Sequence, residues 1–191
     1  MEKLLTIDKE TFEKHRVGKS HLLTEAELGG IDSFHYSSIG DFLIRSQLDA
    51  HDARLPGTGM FDLKTRAVVP IRMDSAHFEW GMDYNIRQLQ GEWESFEREY
   101  LDMIRSTMLK YSLQVRMGRM DGIFVAFHNI ARIFGFQYIS IAEMDYALHG
   151  QTERCLGDSE FLFSLTLLNK VFDRAIERFP KQVCDWGCIA T

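Results

Sequence analysis

The sequence is poor in several features that assign a chain to a class at once. Its 191 residues include three cysteines, Cys155, Cys184 and Cys188, which are too few and too unevenly spaced for a disulfide framework. No apolar run reaches the roughly 18 residues that a membrane-spanning helix needs. The first residues resemble neither a secretory signal nor an Arg-rich transit peptide. We therefore expect reduced thiols, no transmembrane segment and no targeting segment in this chain.

An excess of basic charge is also lacking. The net charge of -6 argues against a basic coat for nucleic acid, although an enzyme that acts on nucleic acid needs only a local basic lining. Four basic residues in the middle of the chain are candidates for that lining: Arg105, Lys110, Arg116 and Arg119. A solvated helix face is the alternative interpretation of the same residues.

Hydrophobic periodicity predicts an α/β protein with a mixed sheet. The predicted elements are a helix over residues 1–17 capped by Thr6 or Asp8, β-like runs over 34–49 and 61–72, a helix over 92–115, strands over 122–128 and 133–141, one or two helical turns over 143–148, and a helix over 159–178. Tyr36 is expected in the core, as are Trp93 and Tyr100, for which base stacking is the alternative. No G-x-G-x-x-G is present, and regular βαβ alternation is missing, so a Rossmann domain is excluded.

These elements suggest one compact domain in three parts. An N-terminal helix and loop cover 1–33, a core covers 34–141, and a helical extension covers 142–191. A chain of this length can bury a substantial core without disulfides or metals.

The pattern with the most chemical content is Asp62-Leu63-Lys64, which follows a Gly-rich turn over 55–59. Side chains alternate along a strand, so Asp62 and Lys64 share one face. Asp49 ends the preceding β-like run, and a hairpin between the runs brings it beside Asp62. Two carboxylates can hold Mg²⁺ or Mn²⁺, and an ammonium can orient a water or stabilise charge on a phosphate. The alternative is a pair of solvated strand charges, which is common for an isolated D-x-K.

The amino-acid sequence around this motif resembles that of a known family. Residues 40–49, 54–67, 90–94 and 110–122 are similar to the fungal mitochondrial mRNA-degradation and 5′-processing proteins, which are placed in the PD-(D/E)XK nuclease superfamily. The resemblance implies a restriction-endonuclease-like core with a mixed β-sheet flanked by helices. It also implies a mitochondrial, membrane-associated protein that acts in RNA processing and decay. Family members are longer, so we expect this chain to be a fragment or a shortened paralogue.

The same resemblance implies roles for individual residues. Asp49 and Asp62 are the expected ligands of Mg²⁺ or Mn²⁺, with Asp49 favoured over Asp52, and Lys64 is the expected catalytic lysine. Gln114 matches the glutamine of a Gln-x-x-x-Tyr motif, whose tyrosine position is Gly118 here. The nucleic-acid contacts are expected from a set of four residues: Arg66, Gln114, Arg116 and Arg119. For Arg66, an ion pair with Asp49 is the alternative.

Two functions follow from these expectations. The first is a metal-dependent nuclease that acts on RNA, with a 5′–3′ exonuclease as one form of it and DNA as an alternative substrate. The second is a nuclease-fold module that does not cut and instead binds RNA or the mitochondrial transcription or decay machinery.

Overall fold

Two short helices, α1 (Glu2–Thr6) and α2 (Lys9–Lys14), occupy the segment for which the sequence predicts one helix over residues 1–17. Asp8 is the N-cap of α2, and its carboxylate accepts a hydrogen bond from the Thr11 N–H at 2.9 Å. This contact satisfies a free N–H of the first helical turn. The single helix is therefore wrong, and the capping role of Asp8 is confirmed. This computed structural model describes residues 2–24, 33–48, 50–69, 74–81, 83–129, 132–152 and 155–180.

A β-hairpin follows a 3-10 turn at Ser20–Leu22. Its strands, β1 (Ser33–Ile39) and β2 (Phe42–Leu48), pair antiparallel along their whole length. Gly40 in the connecting turn has a φ of 57°, a conformation that hairpin turns require and glycine adopts without strain. The predicted β-like run is thus two strands. The prediction that Tyr36 lies in the core is wrong, because its side chain is 60% exposed.

A mixed sheet of four strands carries the remaining β-structure. Its strands, in spatial order, are β3 (Ala50–His51), β4 (Met60–Thr65), β5 (Gly122–Asn129) and β6 (Arg132–Ser140). The outer pairs are antiparallel, and the central pair, β4 and β5, is parallel. The predicted strand over 61–72 is too long: β4 ends at Thr65, and Val68 has a φ of 48°, which is incompatible with a continuing strand.

The parallel pair is connected by two helices, α3 (Phe96–Ser106) and α4 (Met108–Met117). Parallel neighbours need such a crossover, because a tight turn joins only antiparallel strands. The sequence predicts one helix over 92–115, and this is wrong at its start and at its middle. Ser95 caps α3 by accepting a hydrogen bond from a backbone N–H of the first turn, and Thr107 separates the two helices.

Two further helices follow in the described part of the chain. The helix α5 (Ile141–His149) begins with a capping box in which Ser140 and Glu143 bond each other's backbone N–H. The helix α6 (Cys155–Arg178) includes the predicted segment over 159–178 and begins four residues earlier. Over the ranges that the structure describes, no helix is both long and apolar enough to cross a membrane.

The core lies between the sheet and this helical layer. It contains the inward side chains of the two last strands and the facing side chains of the helices, chiefly Met103, Met108, Tyr111, Val115, Ile123, Val125, Phe127, Ile139 and Met144. Because paired residues of neighbouring strands share a face, the register of β4 with β5 decides which side chains of β4 turn toward the helices.

Candidate functional site

Asp62 and Lys64 lie on the helix-covered face of β4. The strand register pairs them with Ile123 and Val125, which are both core residues. Asp62 is 7% exposed, and Lys64 Nζ lies 2.5 Å from Asp62 Oδ2. Lys64 Nζ is also 5.4 Å from the ring centroid of Tyr111 on α4. Charges on a core face are costly unless they are paired, so this pair differs from solvated strand charges.

The turn before β4 is fastened to the start of β5 by Asp121. Thr58 donates two hydrogen bonds to Asp121 Oδ2, from its backbone N at 2.7 Å and from Oγ1 at 2.5 Å. The Asp121 N–H donates to the Met60 carbonyl at 3.1 Å. Gly57 has a φ of 76°, and a Cβ at this position would overlap the Asp121 carboxylate. The predicted turn is confirmed. Asp121 holds both the turn and Met60, which lies two residues before Asp62.

Asp49, the expected first metal ligand, lies outside the described residues. Its chain neighbours are described: Leu48 is the last residue of β2, and Ala50 is the first residue of β3. Ala50 pairs with Phe61, the residue before Asp62. The pairing of β3 with β4 therefore brings the chain neighbours of the two acids into register.

Asp52, the less favoured first acid, is engaged with a basic neighbour. Arg54 donates from Nε to Asp52 Oδ1 at 2.9 Å, and its backbone N–H donates to the same oxygen at 2.9 Å. These hydrogen bonds, the side-chain bond first, lower the pKa of Asp52 to about 2. The carboxylate of Asp52 is thus committed to the turn between β3 and β4.

Arg66, an expected phosphate contact, is buried against Glu99 of α3. The two side chains are 3% and 0% exposed, and Arg66 Nη1 lies 3.2 Å from Glu99 Oε1. Arg66 Nη2 also donates to the Tyr84 carbonyl at 3.3 Å, and Glu99 Oε2 accepts from the Val68 N–H at 3.4 Å. Burial raises the pKa of Glu99, although the charge of Arg66 opposes this shift. The guanidinium faces a protein carboxylate here, so its phosphate contact stays a prediction.

Arg116, a second expected phosphate contact, has an equally buried environment. Its Nη2 lies 2.8 Å from Asp145 Oδ2, its Nε lies 2.9 Å from Asp158 Oδ1, and its Nη1 donates to Ser112 Oγ at 2.5 Å. The side chain is 5% exposed. This network joins α4 to α5 and α6, so Arg116 has a structural environment whatever its role toward nucleic acid.

The other expected contacts lie on or after α4. Gln114 follows Tyr111 by three residues and so shares its face of the helix. Its Oε1 is buried and has no hydrogen-bond partner among the described residues. Arg119, just after α4, is exposed and has a φ of 52°. Arg105 and Lys110 are exposed as well, so three of the four basic candidates are accessible to a polyanion.

Comparison with known proteins places this chain in a family. A family model described as "Mitochondrial protein Pet127" matches residues 1–173. The chain belongs to the Pet127 family. The resemblance found in the sequence is therefore confirmed at the level of the family, and so is its mitochondrial assignment.

Two members show how much of a Pet127 protein the chain covers. It is 59% identical over 121 residues to the Saccharomyces cerevisiae protein named "Putative mitochondrial translation system component PET127", across 62% of this chain and 15% of that protein. It is 44% identical over 182 residues to the Schizosaccharomyces pombe "mRNA degradation protein pet127, mitochondrial", across 95% of this chain and 34% of that protein. The chain thus spans about a third or less of these relatives. No solved structure shows significant similarity to it.

Three residues of this Pet127-family chain near the motif were not assigned from its sequence. They are Tyr111, Asp121 and Glu99, which contact Lys64, the turn before β4 and Arg66, respectively. Glu99 is an acid in the first turn of α3, where the helix dipole favours acids. Its spacing from Phe96 and Met103 puts it on the buried face of α3, and this spacing was the available signal.

The donor chemistry of the site suits a hard cation. Asp62 supplies carboxylate oxygens, and the unpartnered Oε1 of Gln114 is a further oxygen in the same helix–sheet layer. Within the described ranges, no group of three or more His, Cys, Asp or Glu side chains has a metal-binding arrangement. Mg²⁺ needs fewer, because it is commonly held by one or two carboxylates together with waters and substrate phosphates.

Proposed function

We propose that this chain contains a metal-dependent phosphodiesterase site and acts on RNA in mitochondrial mRNA processing or decay. The observation that carries the proposal is the Asp62–Lys64 pair, which is turned toward the helical layer of the fold. RNA is the proposed substrate because the Schizosaccharomyces pombe relative is named for mRNA degradation. DNA has the same phosphodiester chemistry and is the comparison substrate.

The strand arrangement supports a restriction-endonuclease-like core as part of this proposal. A central parallel pair, β4 and β5, is joined by a helical crossover and flanked by antiparallel strands on both sides. The Asp-x-Lys motif lies on the first strand of the parallel pair. We propose this core because the sequence around the motif resembles that superfamily and a mixed sheet of this kind is compatible with it.

The proposed roles are divided between two carboxylates and one lysine. Asp49 and Asp62 would hold Mg²⁺ or Mn²⁺, which when bound neutralises phosphate charge and lowers the pKa of a coordinated water. Lys64, held beside Tyr111, orients the attacking water and stabilises negative charge on the phosphate. In the metal-free protein its Nζ lies 2.5 Å from Asp62 Oδ2, so metal binding would have to displace the ammonium from this carboxylate.

The proposed nucleic-acid surface runs along α4 and the turn after it. Arg119 and Lys110 are exposed and offer charge to the RNA backbone, and Gln114 offers an amide oxygen, Oε1, that has no partner among the described residues. Arg66 and Arg116 reach phosphate only if they leave Glu99 and Asp145. We therefore assign both of them a positioning role in the resting protein.

The test is cleavage of end-labelled single-stranded RNA in Mg²⁺ or Mn²⁺. We expect Asp62→Asn and Lys64→Gln each to abolish cleavage while the fold is retained. Lys170→Gln is the matched control, because Lys170 is exposed on α6 away from the motif. Cleavage that persists unchanged in both site variants would refute the mechanism.

A non-catalytic RNA-binding module is the second candidate function. It is favoured by the 2.5 Å contact between Lys64 Nζ and Asp62 Oδ2, since the ammonium occupies a carboxylate that a metal would need. This module would bind RNA without cutting it in either metal. RNA binding with no cleavage by the wild-type chain, under conditions where the fold is intact, would favour this function over the first.

A further inference from the structure

A tightly bonded loop precedes α3 and presents a tryptophan to solvent. Arg87 and Glu94 join across the loop, with the Arg87 N–H donating to the Glu94 carbonyl at 2.9 Å. Gln88 Nε2 donates to the Trp93 carbonyl at 3.2 Å, and Ser95 Oγ donates to the Gly91 carbonyl at 2.5 Å. Trp93 is nevertheless 56% exposed, so the predicted core position is wrong. The loop fixes the backbone of an aromatic residue that the core does not use.

The Trp93 ring has a defined orientation. It meets the ring of buried Tyr84 edge to face, with centroids 5.0 Å apart, and the guanidinium carbon of Arg98 lies 5.9 Å from its centroid. Both contacts restrict a ring that is otherwise accessible. A restrained and exposed aromatic ring suits stacking, because little side-chain entropy is lost when a flat ligand binds.

A cavity of about 380 Å³ adjoins this ring. Tyr84 and Trp93 contribute phenol and indole rings to its lining, and Asp74, Asp83 and Glu94 contribute acidic side chains. His77 also lines the cavity, with its Nδ1 3.0 Å from Asp74 Oδ2. The phenol oxygen of Tyr84 is buried and has no hydrogen-bond partner in the described part of the chain. The cavity therefore combines π-faces with hydrogen-bond acceptors.

The charges around the cavity suit a base better than a phosphate. The guanidinium of Arg87 lies 2.9 Å from a Glu94 carboxylate oxygen, and that of Arg98 lies 3.0 Å from one of Asp102. Both cations are thus neutralised. Of the three lining carboxylates, Glu94 is paired with Arg87 and Asp74 with His77, so Asp83 is the one on which the repulsion of a phosphate chiefly depends. Carboxylates accept hydrogen bonds only, so they match a base edge that presents donors.

We propose that this cavity binds a purine base of single-stranded RNA, stacked on Trp93, with guanine preferred over adenine. The N1–H and N2–H₂ groups of guanine are donors that pair with carboxylates, whereas the N1 of adenine is an acceptor that they repel. The inference rests on the proposed function for its choice of RNA. Contacts from Arg66 to the Tyr84 ring and from Tyr84 to Trp93 join the cavity to the chain just after β4.

The test is binding of short fluorescent oligouridines that carry one central guanine, adenine or cytosine, measured by anisotropy in EDTA. We expect the guanine oligomer to bind most tightly, and Trp93→Ala to weaken it by about tenfold or more. Trp93→Phe retains a stacking face and should stay within about threefold of wild type. Asp83→Asn should reduce the preference for guanine over adenine. Leu89→Ala is the matched control, because Leu89 is 77% exposed on the same loop and does not line the cavity.

Three results would overturn the proposal: Trp93→Ala behaving like the Leu89 control, equal affinity for all oligomers, or no measurable binding of any. If Trp93→Ala fails to fold, quenching of tryptophan fluorescence by RNA decides. The quenching should be smaller in a folded Trp93→Phe, which retains Trp80 and Trp186, than in wild type, and equal quenching in the two would overturn the proposal. Absence of RNA cleavage by the wild-type chain in Mg²⁺ or Mn²⁺, together with Trp93-dependent binding in EDTA, would refute the nuclease proposal alone.

Discussion

Replacing Glu99 by alanine should destabilise the protein strongly, because it leaves a buried arginine without a counter-charge. Arg66 and Glu99 are 3% and 0% exposed, so the guanidinium would be buried without its partner. The substitution also removes the acceptor for the N–H of Val68, a residue whose φ of 48° already strains the chain.

The magnitude follows from the burial of this pair. Removing one partner of a buried ion pair costs about 3–5 kcal/mol. For a chain of this size, each kcal/mol lowers the melting temperature by about 2–4 °C, so Glu99→Ala should lower it by about 6–20 °C. Exposed pairs contribute about 0–1 kcal/mol, and Arg174–Glu177 on α6, at 83% and 65% exposure, is such a pair.

The assay is urea and thermal unfolding of wild type, Glu99→Ala and Glu177→Ala, followed by circular dichroism. We expect a large loss for the Glu99 variant and a loss of at most about 1 kcal/mol for the Glu177 control. The double variant Arg66→Met with Glu99→Leu should recover most of the lost stability, because no uncompensated charge is then buried. Equal stability of the two single variants would refute the account of the buried pair.

Three further predictions concern the turn before β4 and the titration of α3. Asp121→Ala should cost about 1–3 kcal/mol in urea unfolding, because Thr58 loses both hydrogen bonds to the carboxylate; a cost below that of an exposed substitution would contradict this. Gly57→Ala should cost more than Gly40→Ala, because both have positive φ but only Gly57 is blocked by Asp121, and the reverse order would refute the clash. The folded pKa of Glu99 is raised above its ordinary 4.5, so its favourable contribution is complete below pH 4.5 and is lost as pH rises through the folded pKa. As the pH rises from 4.5 to 7, the free energy of unfolding of wild type should therefore fall relative to that of Glu99→Gln. A difference between the two that does not change with pH would contradict the raised pKa.

The regular elements of the second half could be predicted from the sequence. Strands β5 and β6 and the helix α6 have long apolar or amphipathic patterns, and the predictions for them are confirmed within a few residues. The two helices of the crossover were merged, since Thr107 breaks them without the glycine or proline that a sequence signal requires. The hairpin turn at Gly40 was missed although its signal was available, because two residues of the type Gly-Asp between two β-like runs are typical of a tight hairpin turn.

The environment of the charged side chains could not be predicted. The sequence pattern indicates that Asp62 and Lys64 share a face, and the register with β5 shows that this face is the core face. Arg66 and Arg116 are of a residue type that commonly binds phosphate. Their partners in the structure, Glu99 and Asp145, are 33 and 29 residues away in the chain. Pairing over such distances depends on tertiary structure and leaves no local pattern. The roles of both arginines toward nucleic acid remain predictions.

Calorimetric titration with Mn²⁺ tests the central claim, that the Asp62–Lys64 pair is the core of a metal-dependent site. We predict that the wild-type chain binds Mn²⁺, that Asp62→Asn abolishes this binding, and that Lys64→Met strengthens it. The last effect is expected because the ammonium at 2.5 Å no longer competes for the Asp62 carboxylate. Mn²⁺ binding that is identical in wild type and Asp62→Asn, or absent from both wild type and Lys64→Met, would contradict the account.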